Sequence, residues 1–98
     1  MLPPSIEEAA FRIAAESLTN VVRHSHANHC AVHLQRANGD LRVQVSDDGW
    51  GLGVDQSQGH GLDSMRRRAT DVGGSLTIDP ADPTGTVITA VLPLEAPA

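Results

Sequence analysis

One helical face near the start of the chain carries residue types that suit a metal or phosphate site. Its members lie three or four residues apart, so they share one side of a helix. The stripe consists of Arg12, Glu16, Asn20 and either Arg23 or His24. The amide oxygen of Asn20 is a hard ligand of the kind Mg²⁺ prefers, and Glu16 is able to orient or deprotonate a nucleophile. Alternatively, the stripe is only the solvent-exposed side of an ordinary helix.

A glycine-rich segment, 46–62, separates a predicted strand from a predicted helix and contains "DDGWG" (47–51) and "GHG" (59–61). Glycines let backbone amides approach a ligand closely, and the positive end of the following helix dipole points at whatever the loop holds. This arrangement favours phosphate binding, although an ordinary strand-to-helix connection has the same composition.

The stretch "NVVRHSHANHCAVHL" (20–34) holds four histidines and the only cysteine of the chain. His24, His26 and His29 are able to supply ligands to a zinc ion from a loop, but no paired-cysteine spacing accompanies them. We therefore interpret the segment as a polar connector beside the first helix, with zinc as a secondary hypothesis.

The composition restricts the class of protein. The chain has 98 residues, which is enough for a single domain over 1–98, and its hydrophobic fraction of 40% includes one Phe, one Trp and no Tyr. The core must then be built from Ala, Val, Leu and Ile. A net charge of −5 without any lysine argues against a nucleic-acid binder. A single cysteine, no apolar run near the ~20 residues of a membrane span and no signal peptide suggest a cytoplasmic domain.

Hydrophobic periodicity predicts two helices and two hairpins. A capping box at Ser5 and Glu8 opens the first helix, the pair Asn38-Gly39 forms a tight turn, and Gly73-Gly74 ends the second helix. The order helix, hairpin, loop, helix, hairpin favours a two-layer α+β sandwich with antiparallel pairing and the helices on one face. The predicted elements are a helix to about residue 24, strands 30–35 and 41–45, a helix over 62–72, a strand over 76–78, a turn over 79–85 and a strand over 87–92.

Four segments in this order and spacing resemble the ATP-binding domain of bacterial sensor histidine kinases. They are "ESLTNVVRH" (16–24), "DDGWG" (47–51), "GHGL" (59–62) and "GT" (85–86). The sequence around the first and third segments looks most like that of kinases paired with LuxR-type response regulators, the nitrate-sensor and DesK-like group. These belong to the superfamily of DNA gyrase, the heat-shock chaperones and the mismatch-repair ATPases. The resemblance implies a Bergerat-type ATP-binding fold with a mixed, mostly antiparallel sheet.

The resemblance also implies residue roles around ATP and Mg. Asn20 would ligate the Mg held by the triphosphate, Glu16 would be the acid that activates or positions, and Asp47 would accept a hydrogen bond from the adenine amino group. The remaining nucleotide contacts would be Gly49 and Gly51 under the base, Thr86 behind the adenine, and Arg23, His24, Gly59, His60, Gly61 and Leu62 near the phosphates.

In such a kinase, the γ-phosphoryl group would pass to a histidine on a separate dimerisation domain of a homodimeric protein, and then to a response regulator. This chain would be one piece of that kinase, attached to a membrane only through other parts. It lacks an acceptor-histidine motif, so it should not autophosphorylate alone, and the short segment 52–58 would cover ATP poorly. Two alternatives remain: a serine kinase that regulates sigma factors with the same fold, and a degenerate module that retains the fold for binding. Nucleotide titration separates the last from the others.

Overall fold

The predicted two-layer α+β sandwich is confirmed by the computed structural model, which describes residues 2–22, 29–49, 60–81 and 84–94. Two helices pack on one face of a four-stranded sheet. Within the described ranges, neither helix is long and apolar enough to cross a membrane. The elements are α1 (Pro4–Asn20), β1 (Cys30–Ala37), β2 (Asp40–Asp47), α2 (His60–Asp71), β3 (Ser75–Pro80) and β4 (Thr86–Pro93).

The sheet has the strand order β1-β2-β4-β3, and all three pairings are antiparallel. Asn38 and Gly39 connect β1 to β2 with φ values of 55° and 81°, as the predicted tight turn requires. The last strand of the chain, β4, lies between β2 and β3. The two hairpins are therefore joined through the pairing of β2 with β4, which lies at the centre of the sheet.

Alternating side chains of β2 and β4 form the sheet's contribution to the core. Val43, Val45, Ile88 and Ala90 are all buried on the face that carries the helices. Removing this apolar surface from water is the main stabilising term in a domain of this size. The predicted aliphatic core is confirmed, with Met65 of α2 added to it at 0% exposure.

The capping box predicted at Ser5 and Glu8 is wrong. The N-cap of α1 is Pro3, which makes no side-chain capping bond, and Pro4 is the first helical residue. Proline is well suited to that position because its missing N–H has no partner in a helix anyway and its φ is already helical. The helix therefore begins one residue before Ser5, and Glu7 N–H donates to the carbonyl of Pro3 at 2.9 Å.

Both helices run between the two ends of the sheet in opposite directions. The start of α1 lies at the β1–β2 turn, since Leu2 and Pro4 line one groove together with Gly39. The end of α2 lies at the same end, where a Cβ at Gly73 would stand 3.6 Å from Pro93. The C-terminal end of α1 and the N-terminal end of α2 consequently meet at the opposite end of the sheet, where β2 ends and β4 begins.

Candidate functional site

Asp47 and Thr86 lie side by side at this end of the sheet. Asp47 is the last residue of β2, Thr86 is the first of β4, and the two are direct partners in the antiparallel register. Direct partners project their side chains to the same face. That face is the helix side, because Val45 and Ile88, two residues further along each strand, are buried there. A carboxylate and a hydroxyl are thus placed together below the helix ends.

The Asp47 carboxylate is oriented by its own loop. Gly49 N–H donates to Oδ1 of Asp47 at 2.9 Å, a local turn in which an aspartate side chain caps the backbone two residues later. Within the described part of the chain, Oδ2 has no hydrogen-bond partner. The group is half-buried. It therefore presents one free oxygen in a fixed direction, which suits it to accept a hydrogen bond from a ligand.

Gly85 allows the start of β4 to approach Asp47 at a distance that no other residue permits. A Cβ at this position would lie 1.9 Å from the carbonyl oxygen of Asp47, and the φ of +113° is one that L side chains rarely adopt. The motif "GT" marked this position in the sequence, but its steric role was missed. Only the close approach of two segments distant in sequence reveals it.

Asp48 holds the segment after Asp47 to its neighbours on both sides. Its carboxylate accepts a hydrogen bond from the backbone N–H of His29 at 2.9 Å and lies 3.0 Å from Nδ1 of the same histidine. Its carbonyl accepts from the Thr84 hydroxyl at 3.2 Å. Since the His29 side chain is 87% exposed, the ion pair itself contributes little stability. The consequence is geometric: these bonds connect the beginnings of β1 and β4 to the Asp47 loop. Neither Asp48 nor Thr84 was identified as a site residue from the sequence. The two consecutive acids at 47 and 48 were the available signal for Asp48.

On α1, Glu16 and Asn20 lie beside a buried residue that anchors the helix. Ser17 is 0% exposed, and its hydroxyl lies 2.8 Å from the carbonyl oxygen of Ile13 and 3.1 Å from the sulfur of Met65 in α2. Successive helical residues are rotated by about 100°. Because Ser17 is anchored in the core, Glu16 and Asn20 lie at the boundary between the buried and the exposed side of α1, and both are half-buried.

The end of α1 is continued by Val21, whose N–H donates to the carbonyls of Ser17 and Leu18. On the other side, α2 begins with His60, Gly61 and Leu62, and its positive dipole end faces the same end of the sheet. The structure thus brings Glu16, Asn20, Asp47, Gly49, Thr86 and the first turn of α2 to one end of the domain.

Several residues named from the sequence lie outside the described residues: Arg23, His24, His26, Gly51, Gly59 and the segment 52–58. Two of the three histidines in the zinc hypothesis are therefore among them. The third, His29, contacts Asp48. Within residues 2–22, 29–49, 60–81 and 84–94, no group of three or more His, Cys, Asp or Glu is placed to hold a metal ion.

Known proteins of similar sequence are sensor kinases. The chain is 40% identical over 92 residues to the sensor histidine kinase YxjM and 38% identical over 91 residues to the sensor histidine kinase LiaS, both of Bacillus subtilis. These alignments cover 94% and 91% of this chain but only 22% and 25% of the relatives. The chain thus spans about a quarter of their length.

Solved structures show the same fold. The histidine kinase domain of the blue-light activated kinase from Erythrobacter litoralis EL346 superposes with a TM-score of 0.75 at 27% identity, covering 94% of this chain and 46% of that one. Acinetobacter baumannii AdeS reaches the same TM-score at 13% identity, over 91% of this chain and 47% of the other, and shows the fold alone. The family model for the histidine kinase-, DNA gyrase B- and HSP90-like ATPases matches residues 5–96. The chain therefore belongs to the family of histidine kinase-, DNA gyrase B- and HSP90-like ATPases.

Proposed function

We propose that this domain binds Mg-ATP and donates the γ-phosphoryl group to a histidine on a separate domain of a sensor kinase. The observation that carries the proposal is the Asp47 carboxylate at the end of the sheet, with Oδ1 held by Gly49 and Oδ2 turned to no described group. Membership in an ATPase family and the similarity to sensor kinases support it. The similarity to sensor kinases favours this proposal over a serine kinase of the same fold, and the oriented Asp47 carboxylate favours it over a degenerate module.

Adenine recognition is assigned to Asp47 and Thr86. A carboxylate only accepts hydrogen bonds, so Asp47 fits the exocyclic amino group of adenine and opposes the carbonyl that guanine has at that position. Thr86 is 6% exposed and shares the same face of the sheet. Its hydroxyl would contact the base, directly or through water. Gly49, which is buried and bonded to Asp47, offers no side chain to obstruct the adenine ring.

The triphosphate would then extend from the sheet end towards the helix ends. The backbone amides at the start of α2, His60 to Leu62, suit phosphate oxygens there. The amide oxygen of Asn20 fits Mg, which prefers hard oxygen ligands and keeps several waters. When bound, Mg neutralises charge that develops on the phosphates. Arg23, His24, Gly51 and Gly59 would complete the phosphate site, and they lie outside the described residues.

The transfer requires little covalent chemistry from this chain. A nitrogen of the acceptor imidazole would form a bond to the γ-phosphorus while the bond from that phosphorus to the bridging oxygen breaks and ADP leaves. Glu16, one turn before Asn20 on the same helix, would orient the imidazole or accept the proton that its ring loses. Positioning and electrostatic stabilisation supply most of the rate in such reactions.

In the whole protein, the acceptor histidine would belong to a dimerisation domain of the same homodimeric kinase, and a LuxR-type response regulator would receive the phosphoryl group. Mg-ATP as the substrate places the domain on the cytoplasmic side of any membrane to which the kinase is attached.

The test is calorimetric titration of the 98-residue chain with ATP, ADP and GTP, with Mg and with EDTA. We expect binding of ATP and ADP that Mg strengthens, and weaker binding of GTP. No binding of ATP would contradict the proposal and favour the degenerate module.

A further inference from the structure

A groove between the two helices carries two arginines and two hydroxyl groups that the nucleotide site does not use, beside Glu16, which it does use. It has a volume of about 250 Å³ and is lined by Arg12, Ala15, Glu16 and Thr19 of α1 and by Ser64 and Arg68 of α2. The helices are antiparallel, with the start of α1 and the end of α2 at the β1–β2 turn, and Ser17 near the end of α1 contacts Met65 in the middle of α2. Thr19 and Ser64 therefore lie towards the nucleotide end of the groove, and Arg12 and Arg68 lie away from it.

The charges of this groove are unusual for an acidic chain. The net charge of the protein is −5 with seven basic residues, and four of these seven lie on α1 and α2: Arg12, Arg66, Arg67 and Arg68. Within the described residues, neither Arg12 nor Arg68 forms an ion pair. Glu16, the one acid lining the groove, has none either. The groove therefore has a formal charge of +1 and two guanidinium groups available to a ligand.

The hydroxyl groups add neutral donors and acceptors between these charges. Thr19 donates to the carbonyl of Ala15 at 2.9 Å, which leaves its oxygen able to accept. The Ser64 hydroxyl has no partner among the described residues and remains able to donate. A ligand with one negative charge would be neutralised here, whereas a phosphate dianion would exceed the charge of the groove and meet the Glu16 carboxylate. Guanidinium groups bind carboxylates with matched, two-point geometry.

We propose that this groove receives a carboxylate side chain from the protein segment that carries the acceptor histidine. The proposal rests on the proposed function, because that segment has to bring its imidazole to Glu16. Arg12 precedes Asn20 by eight residues, or about 12 Å along the helix, which separates the arginine pair from the phosphates. Arg12 precedes Glu16 by one helical turn of about 5–6 Å. The acceptor segment should therefore present its histidine and a carboxylate at a similar spacing, as a helix does with two residues one turn apart.

The test uses the ¹⁵N-labelled chain and two helical peptides that differ at one position. Each carries a histidine, followed four residues later by Glu in one peptide and by Gln in the other. NMR titration follows the side-chain Nε–Hε signals of Arg12 and Arg68, with sodium acetate as a minimal carboxylate probe at constant ionic strength. We expect saturable shifts with acetate, and about tenfold tighter binding of the Glu peptide, the size of a charge-assisted hydrogen bond.

Substitutions locate the effect. R12Q and R68Q should each remove the preference for the Glu peptide. R42Q is the matched control, because Arg42 is an exposed arginine on β2, away from the helices, and the preference should persist in that variant. Equal binding of the two peptides, no saturable shift, or the same loss in R42Q would overturn the inference. ATP titration of the unmodified chain tests the proposed function separately: failure there with an intact peptide preference removes the kinase proposal and leaves the groove as a carboxylate site.

Discussion

At the scale of single residues, the adjacent acids Asp47 and Asp48 have different roles in the candidate site. Asp47 directs a free carboxylate oxygen towards the helix side of the sheet, while Asp48 bonds to His29 and Thr84 on either side. Bonds that hold the backbone in place limit the conformational freedom that a ligand would otherwise have to remove on binding. The second acid thereby preorganises the first.

Replacing Asp47 by Asn should weaken ATP binding by about 1–3 kcal/mol, because a charge-assisted hydrogen bond is lost and the new amide presents a donor where adenine also donates. Asp79→Asn is the control, since Asp79 is an exposed acid on β3. Calorimetry with both variants measures the difference. Equal affinities of the unmodified chain for ATP and GTP would contradict the assignment of Asp47 to the adenine amino group.

Replacing Gly85 by Ala should destabilise the domain more than replacing Gly39 by Ala. Both glycines have positive φ, so each variant suffers backbone strain of about 1–2 kcal/mol. Only at Gly85 would the new Cβ also collide, 1.9 Å from the Asp47 carbonyl oxygen, whereas at Gly39 nothing lies within 4 Å. Urea unfolding of both variants gives the comparison. Equal losses of unfolding free energy would show that the close approach to Asp47 is easily relieved.

At the scale of elements, the packing of one side of α1 into the core determines where the polar residues on the rest of the helix lie. Ser17 and Ile13 are fully buried, and the Ser17 hydroxyl contacts both the helix backbone and Met65. This contact fixes the rotation of α1 against α2. Glu16 and Asn20 consequently lie beside the core in the last part of α1, half-buried and without contributing much to the core themselves.

Asn20→Ala should therefore remove the Mg-dependent part of ATP affinity while leaving the fold intact. We expect about a tenfold loss of ATP affinity in Mg, from one lost oxygen ligand, and a change in unfolding free energy within about 0.5 kcal/mol. Glu8→Ala, an exposed substitution in the first part of α1, is the control. Titrations with Mg and with EDTA, beside circular dichroism, measure both quantities. An Asn20→Ala variant with unchanged Mg dependence would remove this residue from the metal site.

At the scale of the whole molecule, the sheet has helices on one side, and β1 is one of the two edge strands of the described sheet. All residues of β1 are exposed, including Val32 and Leu34, although these two are register partners of Val45 and Val43 and so lie on the helix face. No described strand pairs with the other edge of β1. Exposed edge strands with apolar side chains tend to pair with other chains.

We expect the 98-residue chain to self-associate at high concentration, and more strongly as salt screens its net charge of −5. Leu34→Lys should suppress the association, because it places a charge on the apolar side of β1. His33→Lys adds the same charge on the opposite side of the strand and is the control. Sedimentation velocity at two salt concentrations measures the effect. Equal suppression by both variants would indicate a general charge effect instead of an interface at the apolar side.

Much of the secondary structure was accessible from local patterns. The alternation of Leu41, Val43 and Val45 predicted β2 and the side that it buries, because side chains alternate with a period of two. The aliphatic run in 87–92 predicted a strand but not its buried side, because Val87 and Ile88 are both apolar. The start of α1 was not accessible in the same way. Pro4 and Ser5 offered competing start signals one residue apart, and the choice between them was decided by backbone geometry at the proline.

For the site, the sequence alone determined which residue types are present and their order: an acid and an amide on one helix, an acid before glycines, and "GT" before the last strand. The tertiary structure decided which of them meet. Asp47 and Thr86 become neighbours only because β4 pairs with β2, and Gly85 is required only because that pairing brings it onto the Asp47 carbonyl. The physical reason is that a strand's partner is selected by burial over the whole sheet, whereas local patterns specify only which face a strand buries.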